Sequence, residues 1–352
     1  MQKDMHYYGT YAMARAAGIE RESSQIIATA AQFVDDNAIK HHIEFLDGGR
    51  IDAEATAHHT FDGYNITLDD QRKIWVPFHF LPGNEGDSYF ESMVCRKNSD
   101  IAKEMVEHNL TLSSRAFGRE LIGITAHVYA DTFSHHGFSG FSSETNEIIN
   151  DSLNIESELS AGLLSYIEKK KVRFINKIQS LAAEEASKGL GHGAVLTFPD
   201  RPYLNWSFIY ENGDKQKVLR DNPRDFLEGC QALHGMFIKF RENEPMFASD
   251  DGVEFSEISS TVESILATEG KLKERVNAWK SAANKGLLFA SGSEDIPDYD
   301  QAIWGEQWEA LKASDDSSDA LNQNIYRFYQ AASTHRNYIL RDLLPSHLLV
   351  AH

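Results

Sequence analysis

The segment AHVYADTFSHHGF limits what this chain can fold into more than any other part of the sequence. His127 and Asp131 are four residues apart, so on a helix they lie about 40° apart on one face. Apolar and small residues fill the neighbouring positions, which predicts a buried helix: Ile124, Ala126, Val128, Tyr129, Ala130 and Phe133. A buried carboxylate beside imidazoles requires a compensating cation, so we expect a metal site within the core.

The end of this helix offers further ligands. His135 lies on the same helix face as His127 and Asp131, and His136 is the next residue round the helix. Imidazole and carboxylate groups one turn apart are natural neighbours in a site for a first-row transition metal. A single His–Asp pair can also be a simple surface hydrogen bond, but the apolar flanks favour the metal. The sequence leaves open whether His135 or His136 ligates.

The charge balance argues against some classes of partner. The chain has 53 acidic and 34 basic residues, a formal net charge of −19. Proteins that bind nucleic acid or anionic membranes neutralise phosphates with Lys and Arg, so neither partner is indicated. A small phosphate substrate remains compatible, because metal ions in a cleft supply local positive charge.

The sequence also bears on location. Its apolar runs are shorter than the ~18 residues of a membrane span. The start, MQKDMHYYGT, lacks the basic and apolar stretches of a secretory signal. We therefore expect a cytoplasmic protein, unless a leader was removed before Met1. Cys95 and Cys230 lack CxxC partners, which argues against a disulfide framework and a thiolate zinc site.

Hydrophobic periodicity predicts an all-α, mainly helical chain with a small β-hairpin or two in insertions. We expect one domain over residues 1–352, with the metal site in 1–205 and a helical scaffold over 223–352. The region 39–84 is expected to be a partly ordered functional insertion with β-like runs such as IWVPFHF. Ser113 or Ser114 is the expected cap of the central helix, and Asn212-Gly213 the turn of a hairpin. Helices are predicted over 6–17, 20–37, 113–136, 223–242, 255–285 and 304–344, and a long helix or a helix pair over 144–188.

Two segments near the start add candidate ligands. AAQFVDDN places Asp35 and Asp36 at a helix end, where acidic side chains oppose the helix dipole. This mismatch favours a ligand over a solvated helix end. DMHYYG places Asp4 and His6 two residues apart. The helix that follows indicates that this segment is anchored rather than a disordered tail.

Three later segments complete the set. WVPFHFLPGN places His79 in an aromatic run, where it is either a core residue or a ligand. ATAHHTFDGYN offers the adjacent pair His58 and His59, of which one imidazole is expected to be useful. In LGHGAVLTFPDRP, His192 lies between two glycines, which allow close approach of the backbone. Asp200 and Arg201 follow in a turn.

Together these motifs resemble a bacterial family of unassigned function that we place near the zinc-dependent phospholipase C and single-strand nuclease superfamily. The resemblance covers roughly residues 1 to 205. It implies an all-helical fold with three zinc ions in a cleft that cleaves phosphate esters. It also implies a role for each matching residue: Asp35 or Asp36 as the bridging aspartate, His79 as the aromatic-flanked histidine, His127 and Asp131 as the central pair, His135 or His136 as the next histidine, and His6 as the early one.

Three departures separate this chain from that superfamily. Its enzymes chelate one zinc with a mature N-terminal Trp, for which Asp4 is the candidate substitute. The spacer after Asp131 is shorter than the superfamily's. The last His-x-x-x-Asp/Glu element has no match, and His192 with Asp200 is the candidate replacement.

The resemblance predicts a phospholipase C-like hydrolase of small-molecule or lipid phosphate esters. It would use two or three Zn²⁺ ions, with other divalent metals possible. Asp35 would orient the attacking water and Arg201 would stabilise transition-state charge. The alternative is a catalytically silent metal-binding protein with a structural or sensing role. A helical interaction module with incidental histidines is a further alternative.

Overall fold

Helices make up most of the structure, a computed structural model that describes residues 1–57, 67–169, 190–250 and 252–351. A mainly helical fold was expected and is confirmed. The longer helices are α1 (Thr10–Ala16), α2 (Arg21–Asp36), α3 (Asp100–Thr111), α4 (Gly118–His135), α5 (Asn222–Asn243), α6 (Phe255–Leu266), α7 (Leu272–Asn284), α8 (Ala302–Lys312) and α9 (Asn324–Tyr338). Every helix in the described ranges is too short or too polar to span a lipid bilayer.

Short helical pieces connect these elements, and residues 161–169 are also helical. Of the pieces that lie within the described residues, three have π geometry: Asp4–Gly9, Gln71–Trp75 and Ile339–Leu343. Five are 3-10 turns: Glu144–Asn146, Asn150–Ser152, Gly193–Val195, Pro245–Phe247 and Ser317–Asn322. Four are single α-turns: Leu68–Asp70, Val76–Phe78, Tyr89–Ser92 and Leu344–Ser346.

The strands form two small antiparallel sheets. The first pairs β1 (His42–Glu44) with β2 (Arg50–Asp52). In the second, β4 (Asn205–Ile209) pairs with β3 (Asn154–Ile155) on one side and β5 (Lys217–Asp221) on the other. The predicted hairpin is therefore confirmed, with Gly213 at φ +93° in its turn. Glycine adopts this left-handed conformation without a steric penalty.

Helix α4 lies at the centre of the fold and packs against α2, α3, α5 and α9. All of its residues except Arg119 are buried, as its apolar sequence predicts. Gly123 lets α2 approach closely, because a Cβ there would lie 2.4 Å from the Ile27 carbonyl oxygen and 2.5 Å from the Ala30 Cβ. This close packing brings the C-terminal end of α2, with Asp35, alongside His127.

The main hydrophobic core draws side chains from both the N-terminal and the C-terminal parts of the chain. A smaller core lies beneath the three-stranded sheet and includes Phe138, Phe198, Trp206 and Phe208. The loop that carries His192 and Asp200 lies over this smaller core. Two packed units thus meet at the C-terminal end of α4.

Five local predictions differ from the structure. The helix predicted over 255–285 is divided into α6 and α7, and the helix predicted over 304–344 is divided into α8, a 3-10 turn and α9. The run IWVPFHF is helical rather than β-like, because Pro77 suits the first turn of a helix and apolar runs buried on several sides do not distinguish helix from strand. The predicted helix over 144–188 instead starts with 3-10 turns and β3. Helix α4 begins at Gly118, and the Ser113 hydroxyl donates to Glu244 (2.7 Å) instead of capping it.

Candidate metal centre

Five histidines and three aspartates from separate segments converge at α4. His6 comes from the N-terminal π turn, Asp35 from the end of α2, and His79 from the residue after the Val76–Phe78 turn. The remaining members lie on α4 and in the loop before β4: His127, Asp131, His135, His192 and Asp200. Most of these side chains are buried, but Asp35 is 33% exposed and His192 20% exposed.

Asp131 lies at the middle of this cluster and is 1% exposed. Its Oδ2 atom is 3.2 Å from His127 Nε2 and 3.6 Å from His79 Nδ1. Its Oδ1 atom is 3.2 Å from His6 Nε2. One carboxylate therefore faces imidazoles contributed by three separate parts of the chain.

Backbone carbonyls fix the orientation of two rings at this centre. His127 Nδ1 donates to the Ala31 carbonyl (2.8 Å), and His79 Nε2 donates to the Thr56 carbonyl (2.8 Å). The opposite nitrogens, His127 Nε2 and His79 Nδ1, face each other at 3.3 Å. In neutral imidazoles these nitrogens carry lone pairs, whose repulsion is relieved by a proton shared between the two rings or by a metal ion between them.

Two further rings are held in the same way on the other side of Asp131. His135 Nδ1 donates to the His79 carbonyl (2.9 Å), and His192 Nδ1 donates to the Leu196 carbonyl (2.6 Å). Their Nε2 atoms point to Asp200 Oδ1, at 3.2 Å and 3.8 Å. Metal-binding histidines commonly donate their second ring nitrogen in this manner, which leaves the other free for the metal.

His6 gives an independent sign that the cluster can bind a metal. It is 1% exposed, and neither ring nitrogen makes a hydrogen bond with any described residue. The same holds for Asp131 Oδ2. Buried polar atoms without partners are costly, and a metal ion would supply the missing partner for His6 Nε2 and Asp131 Oδ2.

The spacing of these atoms fits metal coordination. In a tetrahedral zinc site with ligands at about 2.0–2.1 Å, neighbouring ligand atoms are separated by roughly 3.3 Å. Imidazole–carboxylate contacts in the cluster lie at 3.2 Å to 3.9 Å. The potential ligand atoms form three sets, each within 4.8 Å: His6, His127 and Asp131; Asp35, His79 and His127; and His135, His192 and Asp200. The first two sets share His127 and together are called the inner group; the third set is called the outer group.

The α-amino group of Met1 also lies in the cluster. It donates to Asp131 Oδ1 (2.6 Å) and lies 3.3 Å from Asp200 Oδ1. Burial lowers the pKa of this amine, but Asp131 and Asp200 outweigh burial and raise it to about 11. A backbone amine has no residue-type signal, so the sequence offers no pattern that could have revealed this contact.

The titration of four members of the cluster suits a metal-binding role. Burial, together with nearby cationic groups, lowers the pKa of His6 to about 3 and that of His135 to about 4. Burial alone would raise the pKa of Asp131 and Asp200, but the surrounding imidazoles and the Met1 amine hold both well below the usual range. At neutral pH these groups are neutral imidazoles and charged carboxylates, which are the forms that bind metal.

Three predicted ligands are engaged elsewhere. Both oxygens of Asp4 accept hydrogen bonds from Arg275, at 2.7 Å and 3.2 Å. Asp36 accepts from the Tyr299 hydroxyl (2.7 Å). His136 Nε2 contacts Asp225 at 2.9 Å, beyond the end of α4. Between the alternatives in the sequence, the structure therefore brings Asp35 and His135 to the cluster.

The remaining candidates are Arg201, His58 and His59. Arg201 follows Asp200, but its guanidinium donates to the Tyr203 hydroxyl and the Thr197 hydroxyl, both at 3.1 Å. These bonds turn it away from the predicted role of stabilising charge in the cleft. His58 and His59 lie outside the described residues.

A cleft of about 230 Å³ opens onto the cluster. Asp35, His79, His135 and His192 reach it from the site, and Trp75 and Phe80 line it as apolar walls. Among the described residues, no Lys or Arg side chain lines this cleft. The most exposed members of the cluster, Asp35 and His192, thus lie where a small molecule can enter.

Fold and site together define a mainly helical protein with a histidine–aspartate cluster at its centre. The chain belongs to a family of unknown function (DUF6765), whose model matches residues 1–343. No curated protein and no solved structure gives a significant match. The resemblance to the zinc-dependent phospholipase C and nuclease superfamily stays a prediction.

Proposed function

We propose that this protein is a metal-dependent hydrolase of phosphate esters and that zinc is its metal. The observation that carries the proposal is the orientation of four histidine rings. In each ring one nitrogen is bonded to a backbone carbonyl and the other faces an aspartate of the cluster. Neutral imidazoles with carboxylates form the donor set of zinc and related divalent metals.

The proposal includes two ions. His6, His79, His127 and Asp131 would hold one, with Asp35 at its exposed side. The other would lie between His135, His192 and Asp200. Two ions carry four positive charges against the three carboxylates Asp35, Asp131 and Asp200, which leaves the cluster attractive to a phosphate anion.

Zinc in such a site supplies Lewis acidity and makes water nucleophilic at neutral pH. The chain's own residues would orient the reactants. Asp35 lies at the cleft and is placed to accept a hydrogen bond from the attacking water. The rings of Trp75 and Phe80 would pack against the apolar part of the ester and limit its size. The small cleft and the net charge of −19 favour a small or lipid-like ester over long nucleic acid.

One observation favours a second function. Asp131, His6 and His127 are almost completely buried, which is typical of a metal that stabilises a fold. In this alternative the ions would join the N-terminal turn, α2 and α4 without catalysis. The cleft at Asp35 and His192 is the feature that favours the hydrolase, because a purely structural site needs no access from solvent.

A matched pair of variants tests the proposed reaction. Asp35→Asn should lower turnover of a chromogenic phosphodiester by about a hundredfold or more, because Asp35 orients the water. Asp36→Asn changes the neighbouring acid, whose carboxylate bonds Tyr299, and should keep most activity. Metal content of both variants is measured by elemental analysis.

The substrates are a chromogenic phosphodiester, phosphatidylcholine micelles and single-stranded DNA, each with and without chelator. Absence of hydrolysis by fully metallated protein would favour the structural alternative. Cleavage of the DNA alone would contradict the preference for small esters. Equal loss of activity in both variants would contradict the role of Asp35.

A further inference from the structure

Arg275 of α7 forms a buried clamp on the N-terminal turn. The residue is 2% exposed. Its Nε donates to Asp4 Oδ2 (2.7 Å), and its Nη2 donates to Asp4 Oδ1 (3.2 Å) and to Gln2 Oε1 (2.5 Å). Its Nη1 donates to the Gly270 carbonyl (3.0 Å). One guanidinium thus ties two side chains of the turn to the start of α7.

The clamped turn is also the turn that reaches the metal centre. The Gln2 carbonyl accepts hydrogen bonds from the backbone N–H of Met5 and of His6, at 2.8 Å and 3.0 Å. His6 follows Asp4 by two residues and places its Nε2 3.2 Å from Asp131. A shift of the turn would therefore move His6 relative to Asp131. The ring nitrogens of His6 have no hydrogen bond with a described residue, so the ring is held by stacking on His127 (centroids 3.8 Å apart) and by the position of the turn.

We propose that Arg275 is a positioning residue of the metal centre, acting through the N-terminal turn on His6. This role rests on the metal site of the proposed function. The planar guanidinium can bond Asp4, Gln2 and Gly270 at once, whereas a lysine ammonium is a compact charge on a flexible stem. Lysine would keep the charge opposite Asp4 but lose the geometry of the turn.

The chain offers a matched control at Arg15. This side chain is also 2% exposed and bonds Glu294 through Nε (3.0 Å) and Nη2 (2.8 Å). It anchors α1 to the segment after α7, not the turn that carries His6. Arg15→Lys therefore weakens a buried arginine–carboxylate pair of the same kind but leaves the bonds of Arg275 to Gln2 and Asp4 in place.

The test compares Arg275→Lys, Arg15→Lys and wild type with Co²⁺ as the probe. Both variants should lower the melting temperature of the metal-free protein. Only Arg275→Lys should change the visible absorption of bound Co²⁺ and weaken its binding, by about tenfold to a hundredfold as for other residues that orient ligands. Arg275→Lys should also add little to His6→Ala in a double-mutant cycle, because both act on one ligand.

The double variant Asp4→Asn/Arg275→Met keeps the test decisive if Arg275→Lys does not fold, since it removes both buried charges together. It should fold and show the altered Co²⁺ spectrum. A wild-type spectrum and affinity in either Arg275 variant would overturn the positioning role. If wild type binds Co²⁺ fully but hydrolyses no ester, only the proposed hydrolase activity is contradicted. The comparison of Co²⁺ spectra would still decide the role of Arg275. Failure of wild type to bind Co²⁺ would overturn the metal centre and this role together.

Discussion

Glu120 should make the protein less stable at neutral and alkaline pH. It lies in the first turn of α4, is fully buried, and neither of its carboxylate oxygens bonds a described residue. Burial raises its pKa from 4.5 to about 7, and the charges of Arg119 and Arg327 offset this only in part. The folded protein therefore holds the proton of Glu120 more tightly than the unfolded chain does.

The size of the effect follows from proton linkage. A shift from 4.5 to about 7 corresponds to roughly 3 kcal/mol. Below pH 4.5 both states are protonated and there is no penalty; the penalty grows as pH rises towards 7 and is complete above it. Glu120→Gln is neutral and of similar shape. It should raise the free energy of unfolding by roughly 3 kcal/mol at pH 8 and by less than about 1 kcal/mol at pH 5.

The assay is urea denaturation of chelator-treated wild type and Glu120→Gln at pH 5, 6, 7 and 8. The difference between the two proteins at each pH cancels the titration of all other groups. Glu263→Gln, at an exposed position of α6, is the control and should give a flat difference near zero. A difference for Glu120→Gln that stays constant across this range, or a loss of stability at pH 8, would refute the reasoning.

Three further predictions concern the metal centre. His127→Ala and Asp131→Asn should each lower zinc content and reduce the stability of the metal-loaded protein by roughly 4 kcal/mol. Elemental analysis and thermal melts test this, and full zinc occupancy with an unchanged melting temperature would contradict it. His135→Ala should release one zinc equivalent while His136→Ala keeps both, and equal zinc content in these two variants would show that the outer group is assigned incorrectly. Gly123→Ala should destabilise the protein by about 1–3 kcal/mol and weaken zinc binding, because the added Cβ would lie 2.4 Å from the Ile27 carbonyl oxygen. A stable variant with normal zinc affinity would show that the packing of α2 on α4 does not position the metal ligands.

Local patterns in the sequence were enough for much of this fold. The apolar surroundings of His127 and Asp131 predicted the buried helix, and Asn212-Gly213 predicted the hairpin between β4 and β5. The choice of His135 was open because α4 could have ended one residue earlier or later. In the structure the helix ends at His135, and His136 leaves it with ψ 141°.

Contacts between distant residues could not be predicted in this way. The carboxylate of Asp4 is a typical metal ligand, but in the structure it pairs with Arg275, which lies 271 residues further along the chain. Asp36 is likewise paired with Tyr299, 263 residues away. A local pattern shows that a carboxylate needs a partner, but not whether a metal or a remote side chain provides it.

The carbonyl groups that orient four histidine rings have a consequence for sequence variation. Their oxygens belong to the main chain at Ala31, Thr56, His79 and Leu196. Because every residue type has a carbonyl, side-chain replacements at Ala31, Thr56 or Leu196 leave the hydrogen-bond acceptor in place. Relatives that differ at these positions without disturbing the packing would therefore present the same imidazole nitrogens. The orientation of the four imidazole rings would then be conserved through the backbone conformation. A comparison of side-chain identities alone would not detect this conservation.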